Sequence, residues 1–350
     1  MYHVSTLTIL AIIFTMFVSI GGPVFLCFLI AKKFHAKLYP AVIGAAAFAL
    51  FVLILESAMH RVVLNATGDL ITGNIWLYGL YGGLAAGIFE ETGRFLAMKF
   101  YMKKSLTKEN ALMYGVGHGG IEAVMIVGMS YISNLMVALM INANGIDSLL
   151  VGLDEATKEA TMEQLSALWT LPSYQFFFAG VERISAMMLQ IALSYLVYRA
   201  VKTRQMKFYG LAIAVHFAVD AGTVIASGYL GSQFVGLLIL EGVLLIVVIF
   251  ICKRVWKMYR EETSDTEKYA GENPAGVSKT VTVSTEKAAG AGRMGDVPAG
   301  KKKTGIAAAA NAVRRMEAED EEKEGEDQDG EVRDGEDAGT GDTGNTEETL

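Results

Sequence analysis

Cysteine and charge are both scarce in this chain. Two cysteines in 350 residues, each inside an apolar stretch, exclude a disulfide scaffold. Charged residues make up 19%, whereas a soluble domain carries about 25%. With 52% hydrophobic residues, disorder over most of the length is excluded as well. The net charge of -7 averages two unlike parts. Residues 1–260 hold 19 basic and 14 acidic residues, and residues 261–350 hold 11 basic and 23 acidic. An apolar, slightly basic body is followed by a short acidic tail.

What fills the body is long apolar runs. Seven can be marked, at roughly 5–30, 39–59, 75–100, 111–141, 173–199, 207–230 and 234–252, each of about the 18 residues or more that a membrane span needs. Such segments leave no polar surface to cover a globule. Each satisfies its own backbone hydrogen bonds only as a helix. The expected fold is therefore all-α, a polytopic transmembrane bundle of about seven spans whose surrounding partner is the lipid bilayer. Lysine and arginine alternate between the connecting loops. Lys32, Lys33 and Lys37 lie in the first, Lys103, Lys104 and Lys108 in the third, Lys202, Arg204 and Lys207 in the fifth, and Lys253, Arg254, Lys257 and Arg260 follow the last run. The intervening loops carry almost none. By the positive-inside rule the N-terminus is outside and the C-terminus cytoplasmic. The first run lacks a basic leader region and a small-residue cleavage site, so it reads as a retained span. Localisation follows: a multi-pass protein of the cell membrane, with no nucleic-acid partner expected. The division is 1–260 as the transmembrane domain and 261–350 as an acidic, disordered cytoplasmic tail.

Ionisable groups inside the spans are the informative residues, because each costs at least about 2.5–3.5 kcal/mol in the bilayer core. Glu90, Glu91 and Arg94 lie on the third run, His118 and Glu122 on the fourth, Glu182 and Arg183 on the fifth, His216 and Asp220 on the sixth, and Glu241 on the seventh. Helical spacing puts Glu90 with Arg94, His118 with Glu122, and His216 with Asp220, each pair on one face. At about 1.5 Å per residue the three pairs lie roughly 10–20 Å from the cytoplasmic ends. Glu, His, His and Asp are thus brought to one level. Gly115 and Gly119, and Gly83 and Gly87, have the spacing that lets a second helix approach closely.

Two imidazoles with carboxylates are the ligand set of a zinc-type ion, and a carboxylate that is not a ligand can serve as general base on a water. The same set without metal can work as a glutamate base with two histidines stabilising an oxyanion. Glu90 is the expected partner of Arg94, leaving Glu91 the freer base. Buried Glu, Asp and His also build proton or ion relays, so a transporter is the competing reading, although the spacing of the runs shows no inverted repeat. A non-catalytic membrane scaffold is the third.

The set Glu90-Glu91-x-x-Arg94, Gly117-His118-Gly119-Gly120-Ile121-Glu122 and His216-x-x-x-Asp220 resembles the YhfC family of intramembrane metallopeptidases, which is grouped with the PrsW and CAAX-type membrane peptidases. The resemblance covers about residues 5–255, with the motifs in the family's order. It implies hydrolysis of peptide bonds in membrane-embedded protein or peptide substrates. It also implies a catalytic set of Glu90, Glu91, Arg94 and Glu122, with His118, His216 and Asp220 as ligands of a Zn²⁺ ion if the mechanism uses one.

Among the remaining residues, Glu182-Arg183 is expected to be an internal ion pair that locks helices. Glu56, His60 and Arg61 form a polar cluster at the outer boundary. The stretch Asp154 to Met162 is a candidate surface helix.

Overall fold

The computed structural model describes residues 2–272, with side chains through residue 263. Eight main helices follow in chain order: α1 (Thr6–Phe34), α2 (Tyr39–Thr67), α3 (75–101), α4 (Lys108–Asn144), α5 (Glu155–Thr170), α6 (Ser173–Thr203), α7 (Lys207–Leu230) and α8 (Phe234–Glu272). There is no strand among the described residues. The chain is a polytopic helical bundle. Six helices, α1, α2, α4, α6, α7 and α8, are long and apolar enough to cross a membrane. The third is of similar length and carries Glu90, Glu91, Arg94 and Lys99, a charge load that sets it apart from the other six.

Local chemistry sets the ends of these helices. Ser5 Oγ accepts from Thr8 N at the start of α1, Asn74 Oδ1 accepts from the backbone of Trp76 and Leu77 at the start of α3, and Thr107 Oγ1 accepts from Asn110 N before α4. These side chains meet amide donors that a first helical turn leaves unpaired. α5 begins as the sequence suggested. Asp154 accepts from Thr157 N at 3.0 Å and from Thr157 Oγ1 at 2.8 Å, and these bonds hold its carboxyl below the ordinary aspartate range. α1 and α6 stop where His35 (φ 55°) and Arg204 (φ 58°) turn left-handed. α1 to α4 each contain a π-helical stretch: Phe17–Gly21, Ala49–Glu56, Ala97–Tyr101 and Val124–Gly128. The last two follow shortly after Arg94 and Glu122. Such stretches re-aim the side chains around them.

Two close helix pairings position the charged residues. α3 runs along α7, and α4 is held between α2 and α6. A Cβ on Gly83 would lie 2.8 Å from Ala221 N and 2.9 Å from Phe217 O. Gly79 and Gly87, one turn either side, also face α7. This small-residue stripe lets the backbones meet without side chains between them. The glycines around His118 act in the same way. Gly117 lies against Ala41 of α2, and Gly119 against Gln190 of α6. The buried core is centred on α4 and α6, through Met113, Tyr114, Leu193 and Tyr195.

α8 continues to Glu272, past the boundary expected at 260. Its C-terminal part is tied down by polar contacts. Glu262 accepts from Tyr195 Oη at 2.9 Å and Tyr198 Oη at 2.6 Å, and Tyr259 Oη donates to Glu109 at 3.2 Å. These contacts make residues 261–263 part of the bundle. The acidic tail expected beyond lies, from residue 273 on, outside the described residues.

Candidate active site

Glu90, Glu91 and Arg94 of α3, His118 and Glu122 of α4, and His216 of α7 are all buried, at 9% exposure or less. The three motifs, 125 residues apart at their widest bond, meet in one cluster. Glu90 is its centre. Its Oε2 lies 2.9 Å from His118 Nε2 and 3.9 Å from His216 Nε2. The same oxygen accepts from Gln190 Nε2 at 3.0 Å. Asp220 Oδ2 is 3.4 Å from His216 Nε2. Glu91 Oε1 is 2.8 Å from His216 Nδ1. The Nε2 atoms of both imidazoles therefore face one carboxylate, and the far side of one ring is held by the neighbouring glutamate.

Arg94 does not divide the two glutamates as the spacing suggested. Its NH2 is 3.7 Å from Glu90 and its Nε is 3.5 Å from Glu91. An i,i+4 and an i,i+3 relation both bring side chains together on a helix, so the guanidinium sits between the two. Glu91 is fully buried behind His216, with Oε1 on that ring and Oε2 without a hydrogen-bond partner.

Glu122 and His118 share a face of α4, but Glu122 is engaged elsewhere. Its Oε1 accepts from Arg183 NH1 at 3.1 Å and its Oε2 from Gln190 Nε2 at 2.7 Å. Arg183 NH2 also meets Glu182 at 2.5 Å. The expected Glu182-Arg183 pair is present, and it locks α6 to α4 through Glu122.

Gln190 is the residue that the sequence reading passed over. Arg94 NH1 donates to its backbone oxygen at 2.9 Å and Arg94 NH2 to its Oε1 at 2.5 Å, while its Nε2 donates to Glu90 and Glu122. A guanidinium only donates and a carboxylate only accepts, so the amide orientation is set by its partners. The signal was an amide side chain in the apolar run from Ala186 to Leu193, two helical turns after Arg183. A survey confined to ionisable side chains does not see it.

At the other end of α2, Glu56 is buried and accepts from the His60 ring at 3.2 Å; the other nitrogen of that ring is 2.8 Å from Tyr81 Oη. Tyr81, not the exposed Arg61, completes this cluster.

Glu90, Glu91, Glu122 and Asp220 share Arg94 and Arg183 as their cationic side chains among the described residues, apart from histidine. Inside an apolar bundle an excess of carboxylates is met by protons or by a further positive charge. Glu91 Oε2, Arg94 Nε, His118 Nδ1 and Arg183 Nε are buried without a hydrogen-bond partner, and no group of three or more His, Cys, Asp or Glu side chains among the described residues is spaced to hold a metal ion. Chemically the cluster presents carboxylates and imidazoles for proton transfer, with Glu90, Glu91 and Asp220 against His118 and His216.

Comparison with known proteins agrees with the family that the motifs resemble. No solved structure matches this chain. The sequence is 41% identical over 197 residues to the "Uncharacterized membrane protein YhfC" of Bacillus subtilis (strain 168), a match covering 55% of this chain and 75% of that one. With its six apolar membrane-length helices, the chain is a multi-pass integral membrane protein. The family model for "YhfC intramembrane metalloprotease" matches residues 14–244, a range that contains every residue of the cluster, and the chain belongs to that family.

Proposed function

We propose that the chain is an intramembrane endopeptidase that hydrolyses peptide bonds of membrane-embedded proteins or peptides at the Glu90/His118/His216/Asp220 cluster. The observation that carries this reading is the shared approach of His118 Nε2 and His216 Nε2, from two different helices, to Glu90 Oε2. A proton relay needs a chain of groups leading across the bundle. A hydrolytic centre needs a base and electrophilic groups converging on one point, and convergence is what this geometry has.

In this reading Glu90 Oε2 accepts the proton of the attacking water. His118 and His216 face the same volume and stabilise the oxyanion or return the proton to the leaving amine. Arg94 and Gln190 hold Glu90 in place. Glu91 bonds His216 Nδ1 and so fixes which nitrogen of that ring faces the substrate. Close packing of α3 on α7 and of α4 on α2 and α6 excludes bulk water.

The donor set fits a zinc-type ion in kind: two imidazole Nε2 atoms, carboxylate oxygens and an excess of negative charge. Tetrahedral ligands at about 2.0–2.1 Å are roughly 3.3 Å from each other. Of the named ligands, His216 and Asp220 stand 3.4 Å apart, close to that value, but no three His, Cys, Asp or Glu side chains among the described residues are spaced to hold the ion together. His118, His216 and Asp220 would hold the ion, with Glu90 beside it. When bound, it would supply Lewis-acid polarisation of the scissile carbonyl.

Cleavage of a membrane-peptide library by the purified protein, together with its bound metal, tests the proposal. Wild type should cleave, and Glu90→Gln, His118→Ala and His216→Ala should not. Bound metal, if part of the mechanism, should be lost in the two histidine variants. Folded wild type that cleaves nothing and carries ion flux in liposomes would replace this reading with a transporter.

A further inference from the structure

A cavity of about 240 Å³ opens between α3, α6, α7 and α8 and reaches the cluster at Asp220. Its polar lining comes from Glu182 and Ser185 of α6 and Asp220 and Thr223 of α7, and Gly82 and Gly83 of α3 leave one wall bare; the rest is aliphatic. Asp220 and Glu182 have side-chain exposures of 37% and 38%. The other carboxylates of the cluster stand at 11% or below. These two are the ones that open onto the cavity. Ser185 is fully buried, and its Oγ has no hydrogen-bond partner among the described residues. Arg183 is shared between Glu122 and Glu182. Glu241 of α8, buried and within electrostatic reach of Glu182, has an Oε2 without a partner.

Glu182 is paired with Arg183 and Asp220 with His216, but an apolar occupant would leave the Ser185 hydroxyl without a partner and desolvate the exposed part of both carboxylates. An anion would be repelled. A cationic head on an aliphatic stem satisfies both the polar and the aliphatic walls, as lysine does when its methylenes lie along apolar surface. We propose, on the peptidase reading above, that this cavity is a substrate side-chain subsite that takes a lysine of a membrane-embedded polypeptide, its ammonium paired with Glu182 and bonded by Ser185 Oγ. The stem lies along the aliphatic walls of α7 and α8, and the backbone of the substrate passes Asp220 beside His216. An acidic cavity thereby becomes a selection device for substrates that carry a matching charge in their span.

The test uses the full chain in lipid nanodiscs and two synthetic single-span peptides that differ at one central position, lysine or norleucine. Binding is read by fluorescence anisotropy and cleavage in parallel. The lysine peptide should bind about tenfold more tightly, the equivalent of about 1.4 kcal/mol, the low end for a charge-assisted contact. Glu182→Gln should bring the two affinities together, and Ser185→Ala should narrow the gap. Gly82 has open space where a Cβ would stand, so Gly82→Leu should grow into the cavity and weaken both peptides without disturbing the helix pair. Melting temperature checks that each variant is folded. Equal affinity of the two peptides for wild type, or a preference that survives Glu182→Gln, overturns the subsite. A lysine preference without cleavage of either peptide keeps the subsite and sinks the peptidase reading instead.

Discussion

Glu91 Oε1 lies 2.8 Å from His216 Nδ1, and Nε2 of the same ring faces Asp220 at 3.4 Å and Glu90 at 3.9 Å. Adjacent glutamates on α3 thus reach opposite sides of one imidazole. On the proposed function, one side orients the ring and the other faces the reacting atoms. Glu91→Gln keeps an acceptor for Nδ1–H and should lower kcat/KM by about 10–100-fold, the usual cost of losing a carboxylate behind a working histidine. Glu90→Gln removes the carboxylate between the two rings and should cost about 10²–10⁴-fold. Cleavage rates of one peptide substrate by both variants decide the order; a heavier loss at Glu91 would exchange the two roles.

Gln190 joins Arg94 to two carboxylates. Gln190→Leu leaves a guanidinium and both acids with buried, unmet hydrogen bonds, at about 1–3 kcal/mol for each group. The variant should melt well below wild type and lose activity with it. Gln175, whose Nε2 bonds Ser232 O at the exposed end of α6, provides the contrast. Gln175→Leu should shift the melting temperature little, as an exposed substitution does.

The α3–α7 contact yields a prediction from two neighbouring glycines. A Cβ at Gly83 meets the backbone of Ala221 and Phe217, whereas one at Gly82 meets nothing within 4 Å. Gly83→Leu must push the helices apart, at about 1–3 kcal/mol or more, and carry Glu90 away from His216. Gly82→Ala should be neutral in melting temperature and activity. Equal effects at the two positions would mean that α3 and α7 do not pack along this stripe.

Arg183 bridges Glu122 of α4 and Glu182 on its own helix. Breaking a buried ion pair from one side costs about 3–5 kcal/mol, because the remaining charge is stranded. Arg183→Met should therefore destabilise strongly. Adding Glu122→Gln should recover part of the loss, since the neutral amide no longer needs the guanidinium. A double variant no more stable than Arg183→Met would show that Glu122 is not the group left stranded, and the coupling measured by the four proteins gives the size of the interaction.

Hydropathy by itself determined the helical membrane bundle and which few charges to examine, because apolar runs of membrane length admit only helices and make every charge within them costly. Helical periodicity paired Glu90 with Arg94 and His216 with Asp220, contacts that are local along the chain and so readable from it. The division of labour around them came only from the tertiary structure. That Glu90 faces both imidazoles, that Glu91 stands behind His216, that Glu122 is taken by Arg183, and that Gln190 joins them all depend on the rotation and depth of helices far apart in sequence. Those are set by which glycine faces lie together, α3 on α7 and α4 on α2 and α6. The extension of α8 past residue 260 was hidden for the same reason. Glu262 looks like part of a solvated acidic tail until Tyr195 and Tyr198, on another helix, are brought beside it.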